Sequence, residues 1–124
     1  MLDDIKEFFD CFVRDFSSFD GALIASRYQA PYLAVTSDAA VWECAAPSDL
    51  VEYFQSLLDK HSAEGVTHTK YESLEVTEIG RSCFLASVTW TMMNDAGDTV
   101  SNWRESYNLI KTADGLKIFT SIDH

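Results

Sequence analysis

Basic residues are what this sequence has least of relative to need: nine Lys and Arg stand against twenty Asp and Glu, a formal net charge of −11 at pH 7. Affinity for nucleic acid and for anionic membrane surfaces comes mainly from Lys and Arg. The balance therefore argues against both partners, and the acidity itself serves solubility. Cysteine is sparse as well. Cys11, Cys44 and Cys83 are odd in number and lack CxxC spacing, so they offer neither a disulfide framework nor a zinc site. Reduced thiols and a cytoplasmic location are the simplest expectation. His61, His68 and His124 share no ligand spacing with a carboxylate-rich helix, so no metal is expected, and no cofactor. No apolar run is long enough to span a bilayer, and no basic segment followed by an apolar one opens the chain. Internal repeats, low-complexity tracts and linkers are missing too.

What is present is the material of one folded domain over 1–124. Hydrophobic residues make up 47% and aromatics 13% of the chain, enough for a packed core. A chain of this length buries roughly two-thirds of the surface it exposes when unfolded. Leu2, Ile5, Phe9, Phe12, Val13 and Phe16 recur at helical spacing, which predicts a helix over 2–16 with Asp3 and Asp4 in its first turn. Ser17 and Ser18 break it and offer a cap for a second helix over 19–28, which Pro31 closes off. Two short strands are expected at 32–36 and 40–44, turned by Ser37 and Asp38. Pro47 and Asp49 open a third helix whose buried stripe is Leu50, Phe54, Leu57, Leu58 and His61, with Gly65 as its stop.

From Val66 onward the period changes from 3.6 to 2. Four long strands are predicted, at about 67–79, 82–93, 99–111 and 115–122, as an antiparallel meander in an α+β layout. In the second, Phe84, Ala86, Val88, Trp90 and Met92 form an apolar face for the helices to cover. The opposite face, Leu85, Ser87, Thr89, Thr91 and Met93, is half-apolar, which suits a subunit interface more than open water and predicts a homodimer through the outer sheet face. The last strand is expected to turn Leu116, Ile118, Thr120 and Ile122 inward and Lys117, Phe119, Ser121 and Asp123 outward. Asp123 and His124 at its end could form an acid–base unit, or lie solvated. The third strand is the odd one. Trp103, Glu105, Tyr107 and Leu109 share a face, and a carboxylate between two aromatics is the wall of a polar-lined pocket rather than of a plain core.

The order helix, helix, two short strands, helix, four long strands resembles the nuclear transport factor 2-like superfamily, which includes ketosteroid isomerase and SnoaL-like polyketide cyclases. Phe19-Asp20-Gly21-Ala22-Leu23-Ile24-Ala25-Ser26-Arg27-Tyr28 is similar to the family's second helix. Ser37 to Glu43 is similar to the short strand that follows, and Asp114-Gly115-Leu116-Lys117-Ile118 to its last hairpin. The resemblance implies a cystatin-like α+β fold over the whole chain: a cone-shaped, curved antiparallel sheet, or α+β barrel, packed against three N-terminal helices, with a pocket at the wide end.

Carried over residue by residue, the resemblance puts Glu43 at the position of the isomerase's catalytic base, and Glu105 and Tyr107 near its second oxyanion acid. A carboxylate held in such a pocket can shuttle a proton beside a carbonyl, and a protonated one can donate to the oxygen. The alternatives stay open: Glu43 as a rim charge, and Glu105 as an ion pair with Arg81 or a lysine. The isomerase's oxyanion Tyr has no counterpart, because Phe8-Phe9-Asp10-Cys11-Phe12 contains no Tyr. Tyr28, Trp42, Trp90 and Trp103 are candidates for the pocket wall, or for the core. Two functions follow as expectations. One is binding of a small hydrophobic molecule with a carbonyl or hydroxyl group, extended to isomerase, cyclase or dehydratase chemistry on Glu43 or Glu105. The other is a non-catalytic dimerisation or partner-binding module whose cavity is filled by its own side chains.

Overall fold

Element boundaries in the computed structural model, which describes residues 2–124, follow local chemistry closely. Helix α1 (Leu2–Phe16) places Asp3 and Asp4 at its positive end and buries Ile5, Phe8, Phe9 and Phe12, the stripe its spacing predicts. Helix α2 (Gly21–Ala25) is shorter than expected at both ends. Asp20, not Ser17 or Ser18, is its cap, accepting from the Ala22 N–H at 3.0 Å, as short acidic side chains do at this position. At the far end Tyr28 enters the core as the first residue of β1 (Tyr28–Val35), so burial of its ring overrides the helical pattern. After β2 (Val41–Cys44) comes α3 (Pro47–Ala63), whose first turn is fixed by Pro47 and by Asp49 Oδ2 accepting from the Ala46 N–H at 3.0 Å. Gly65 ends it at φ +86°, a conformation that favours glycine.

The four long strands are β3 (His68–Ile79), β4 (Cys83–Met93), β5 (Thr99–Thr112) and β6 (Gly115–Asp123). Together the six strands form one curved, unclosed sheet in the order β2-β1-β6-β5-β4-β3. Its pairs are antiparallel except β1 beside β6, which is parallel. Phe84, Ala86, Val88, Trp90 and Met92 are all buried on the face that the helices cover, while Leu85, Ser87, Thr89 and Met93 keep some surface and Thr91 is buried. Phe9 and Phe12 of α1 pack on Trp90 and Tyr107, joining helix to sheet through one aromatic cluster. Among the described residues no helix is long and apolar enough to cross a membrane.

One irregularity decides which side chains face the helices. Asn108 pairs with Thr120 but Leu109 pairs with Ile118, so Phe119 is an extra residue on β6. A bulge of one residue inverts the alternation beyond it. Ile118 is buried as expected, but past the bulge Ser121 is buried and Ile122 is exposed. The expected inward Ile122 and outward Ser121 and Asp123 are thus reversed: Asp123 turns toward the helices.

Candidate functional site

Between α3 and the concave face of β1, β6, β5 and β4 lies a cavity of about 180 Å³. Its walls are aromatic and aliphatic: Phe16 from α1, Tyr28 and Tyr32 from β1, Phe54, Leu57 and Leu58 from α3, and Trp90 and Met92 from β4. Its polar groups are few. Glu105 and Asp123 face each other across the β5–β6 ladder, flanked by Trp103, Tyr107 and Ser121, with Tyr53 and His61 opposite on α3.

Glu105 sits in a web of donors. Trp103 Nε1 donates to Glu105 Oε1 at 2.9 Å. Tyr107 flanks the same carboxyl and holds it down slightly, and its hydroxyl accepts from Trp90 Nε1 at 2.7 Å. No Lys or Arg among the described residues pairs with Glu105; the ion pairs are Arg27 with Asp15 and Arg104 with Glu75, and Glu64 Oε1 lies 3.6 Å from His61 Nδ1. Burial first, and the Asp123 charge second, push Glu105 up to about 8, against the opposing pull of Trp103 and Tyr107. Asp123 is raised too, chiefly by burial, with the Glu105 hydrogen bond and the His124 charge working the other way. Two adjacent carboxyls in a poor solvent cannot both ionise cheaply. Near neutral pH this favours a single proton held by the pair, with the larger upward push on Glu105. Nearby, the Tyr32 hydroxyl and Ser121 Oγ are 2.5 Å apart. Tyr53 has no hydrogen-bond partner among the described residues, and burial raises its phenol to about 12, so it stays a donor.

A larger groove, of about 450 Å³, runs over the outside between α1 and the β5–β6 turn, past Phe8, Cys11, Arg27 and Lys111. It is open to solvent, and Asp4, Glu7 and Lys111 along it are exposed charges. The smaller cavity is the chemically distinctive one.

Of the residues singled out from sequence, Glu105, Tyr107, Tyr28, Trp90 and Trp103 come together at the cavity. Glu43 and Trp42 do not. Both lie on the edge strand β2 outside the cavity, in an open hollow beside the first turns of α3, where Glu43 is exposed and Trp42 is 58% exposed. The alternative of an Arg81 or lysine partner for Glu105 is also not what the structure holds. Two groups escape the sequence reading, and a third is placed differently. Asp123 is expected as an outward acid–base partner of His124 and instead faces Glu105 at the cavity, because a bulge without Gly or Pro carries no local signal. Tyr53 and His61 had one: with Leu57 they form the i, i+4, i+8 row beside the buried Leu50, Phe54 and Leu58, turned toward the cavity.

An unclosed curved sheet wrapped on three helices, with a polar-floored cavity between them, defines the nuclear transport factor 2-like, cystatin-like class of proteins. The chain belongs to the family described as NTF2-like protein (DUF6841), which matches residues 3–124. No curated protein matches it. Solved structures share its fold at low identity. Aln2 from a Streptomyces species superposes with a TM-score of 0.77 at 12% identity, over 98% of this chain and 87% of that one. An NTF-2 like protein of unknown function from Shewanella oneidensis gives 0.76 at 15%, over 98% and 97%. A ketosteroid isomerase-like protein from Erwinia carotovora atroseptica gives 0.70 at 18%, over 98% and 93%.

Proposed function

We propose that this protein binds a small, mostly apolar carbonyl compound and moves a proton on the carbon next to the carbonyl. The observation that carries this reading is the Glu105–Asp123 pair: two carboxyls opposite each other across the ladder in an aromatic cavity, with no Lys or Arg among the described residues paired to either. Asp123, the ionised member, accepts the proton. The C–H bond breaks, an O–H bond forms on Asp123, and the electron pair moves onto the carbonyl oxygen. Tyr53, without a hydrogen-bond partner among the described residues, donates to that oxygen as charge develops. Glu105 stays neutral and orients Asp123 through their shared hydrogen. Return of the proton to a different carbon isomerises the compound; loss of a hydroxyl from the neighbouring carbon dehydrates it; attack on a second carbonyl closes a ring. The likeness to a ketosteroid isomerase-like fold supports proton transfer, but the size argues for a smaller substrate than a steroid. An engineered apolar cavity of about 150 Å³ holds benzene, so a cavity of about 180 Å³ suits one ring.

The second reading is a non-catalytic module, and the filling of the cone by Trp90 and Trp103 favours it. Hydrogen–deuterium exchange at the α-carbon of cyclohexanone-sized ketones, followed by NMR, separates the two. Exchange above the buffer rate, reduced about a hundred-fold or more in Asp123→Asn, is the expected result for a positioned base. Tyr53→Phe should lower the rate with little change in melting temperature. No exchange and no ligand-induced shift in the wild-type protein would leave the module reading in possession.

A further inference from the structure

We infer that His61 is the second recognition point of this cavity, so that the ligand is a ring compound bearing a hydroxyl at the end opposite its carbonyl. The inference rests on the carbonyl-binding reading above and adds to it which compounds within that class the cavity selects.

His61 Nδ1 is buried and has no hydrogen-bond partner among the described residues. The Glu64 Oε1 atom lies 3.6 Å away, beyond normal hydrogen-bond range. The Glu64 charge still decides the tautomer, because a proton on Nδ1 faces a carboxylate whereas a lone pair there would be repelled by it. Burial holds His61 below the usual imidazole range, so the ring is neutral and carries one proton. With that proton on Nδ1, Nε2 is an unprotonated acceptor. No protein group bonds to it among the described residues, and of the two spaces His61 borders, this cavity of about 180 Å³ and a hollow of about 10 Å³ beside Val66 and His68, only the first has room for a ligand.

The ring is also held in place. It lies 6.1 Å from the Trp103 ring at an interplanar angle of 7°. The edge of that same indole donates to Glu105 at 2.9 Å. One indole therefore sets the offset between an acceptor, His61 Nε2, and the carboxyl pair. Between these polar ends the walls are apolar: Phe16, Leu57, Trp90 and Met92. A purely apolar ligand end would leave Nε2 desolvated and unpaired, which is costly in an enclosed site. A hydroxyl there donates to it. Recognition of this kind discriminates strongly, because the analogue lacking the hydroxyl strands a buried polar atom.

The test compares benzaldehyde with 3- and 4-hydroxybenzaldehyde by calorimetric titration against the wild-type protein, His61→Phe and His61→Gln. The better of the two hydroxylated aldehydes should bind about ten-fold tighter than benzaldehyde to the wild type, the scale of one hydrogen bond to a buried acceptor. His61→Phe, which keeps a ring against Trp103, should bring the ratio of the two affinities within that variant to about one; His61→Gln should keep part of the preference. A readout free of any variant is the ¹⁵N resonance of His61 Nε2, which should move with the hydroxylated aldehyde and not with benzaldehyde. If benzaldehyde binds and the hydroxyl adds nothing, or if the preference survives His61→Phe, the assignment of His61 is overturned while carbonyl binding stands. If no aldehyde binds, both readings fall together.

Discussion

Glu105 illustrates how far a residue's surroundings can move its chemistry. Its oddity is legible in the sequence, since an acid between Trp103 and Tyr107 on one strand face fits neither a core nor a solvated face. Its protonation is not legible, because that depends on Asp123 arriving opposite it across the ladder. The linkage has a definite sign. An acid whose folded pKa is raised binds its proton more tightly folded than unfolded. Its contribution is fully present below the ordinary value of 4.5 and is lost as pH rises to about 8. The loss amounts to about 1.4 kcal/mol per pH unit across that window at most. Glu105→Gln, close in shape to the neutral acid, should match the wild type near the low end of the window and exceed its stability near the high end. Denaturant unfolding of both proteins between about pH 5 and 9 measures the difference directly. Curves that stay parallel across the range would mean that Glu105 ionises freely in the folded protein.

Elements were easier to read than residues, and for a physical reason. Hydrophobic period and punctuating Gly, Pro and Asp residues are local signals, so α1 and the four long strands fall within a residue of expectation. Asp123 was misplaced because a period-2 pattern contains no mark for the extra Phe119, and Glu43 because nothing local says where helix coverage of an edge strand stops. The crossing of α2 on α3 is a further feature that only packing reveals. Gly21 donates its N–H to Gln55 Oε1 at 2.7 Å, and Gln55 Nε2 reaches back to the Phe19 carbonyl at 3.3 Å. A Cβ on Gly21 would meet the Gln55 backbone N at 2.7 Å and Cα at 2.8 Å. Helix propensity alone favours Gly21→Ala by about 1 kcal/mol, but the clash is with backbone, which cannot swing aside. The net expectation is a loss of roughly 1–3 kcal/mol, read as a lower urea midpoint. A neutral or stabilised variant would show that the two helices part without cost, and with them the α3 wall that carries Tyr53 and His61.

At the scale of the whole molecule, charge is unevenly spread. In a chain with twenty acidic residues, the outward positions along the middle of the sheet carry none: Leu85, Ser87 and Thr89 on β4, Ser106 and Asn108 on β5, Thr120 and Ile122 on β6, Leu33 on β1. Arg104 is there, but it is occupied by Glu75 at 3.1 Å, by Thr89 and by the Ser73 carbonyl. Leu33 and Ile122 are 39% and 41% exposed. We propose that two copies of the chain pair through this face. A net charge of −11 on each opposes their approach at long range, so a contact centred on strands without acids, with Glu43 and Glu75 only at its two rims, is where that repulsion is small. Two consequences can be measured by analytical ultracentrifugation. Added salt should tighten the association, because it screens the repulsion and leaves the apolar contact in place. Leu33→Lys should shift the population to the single chain without lowering the melting temperature of the domain, since the side chain lies outside the core. A wild-type protein that sediments as one chain at high concentration and high salt would remove the pairing, and would leave the outer sheet face as plain solvent-exposed Ser and Thr.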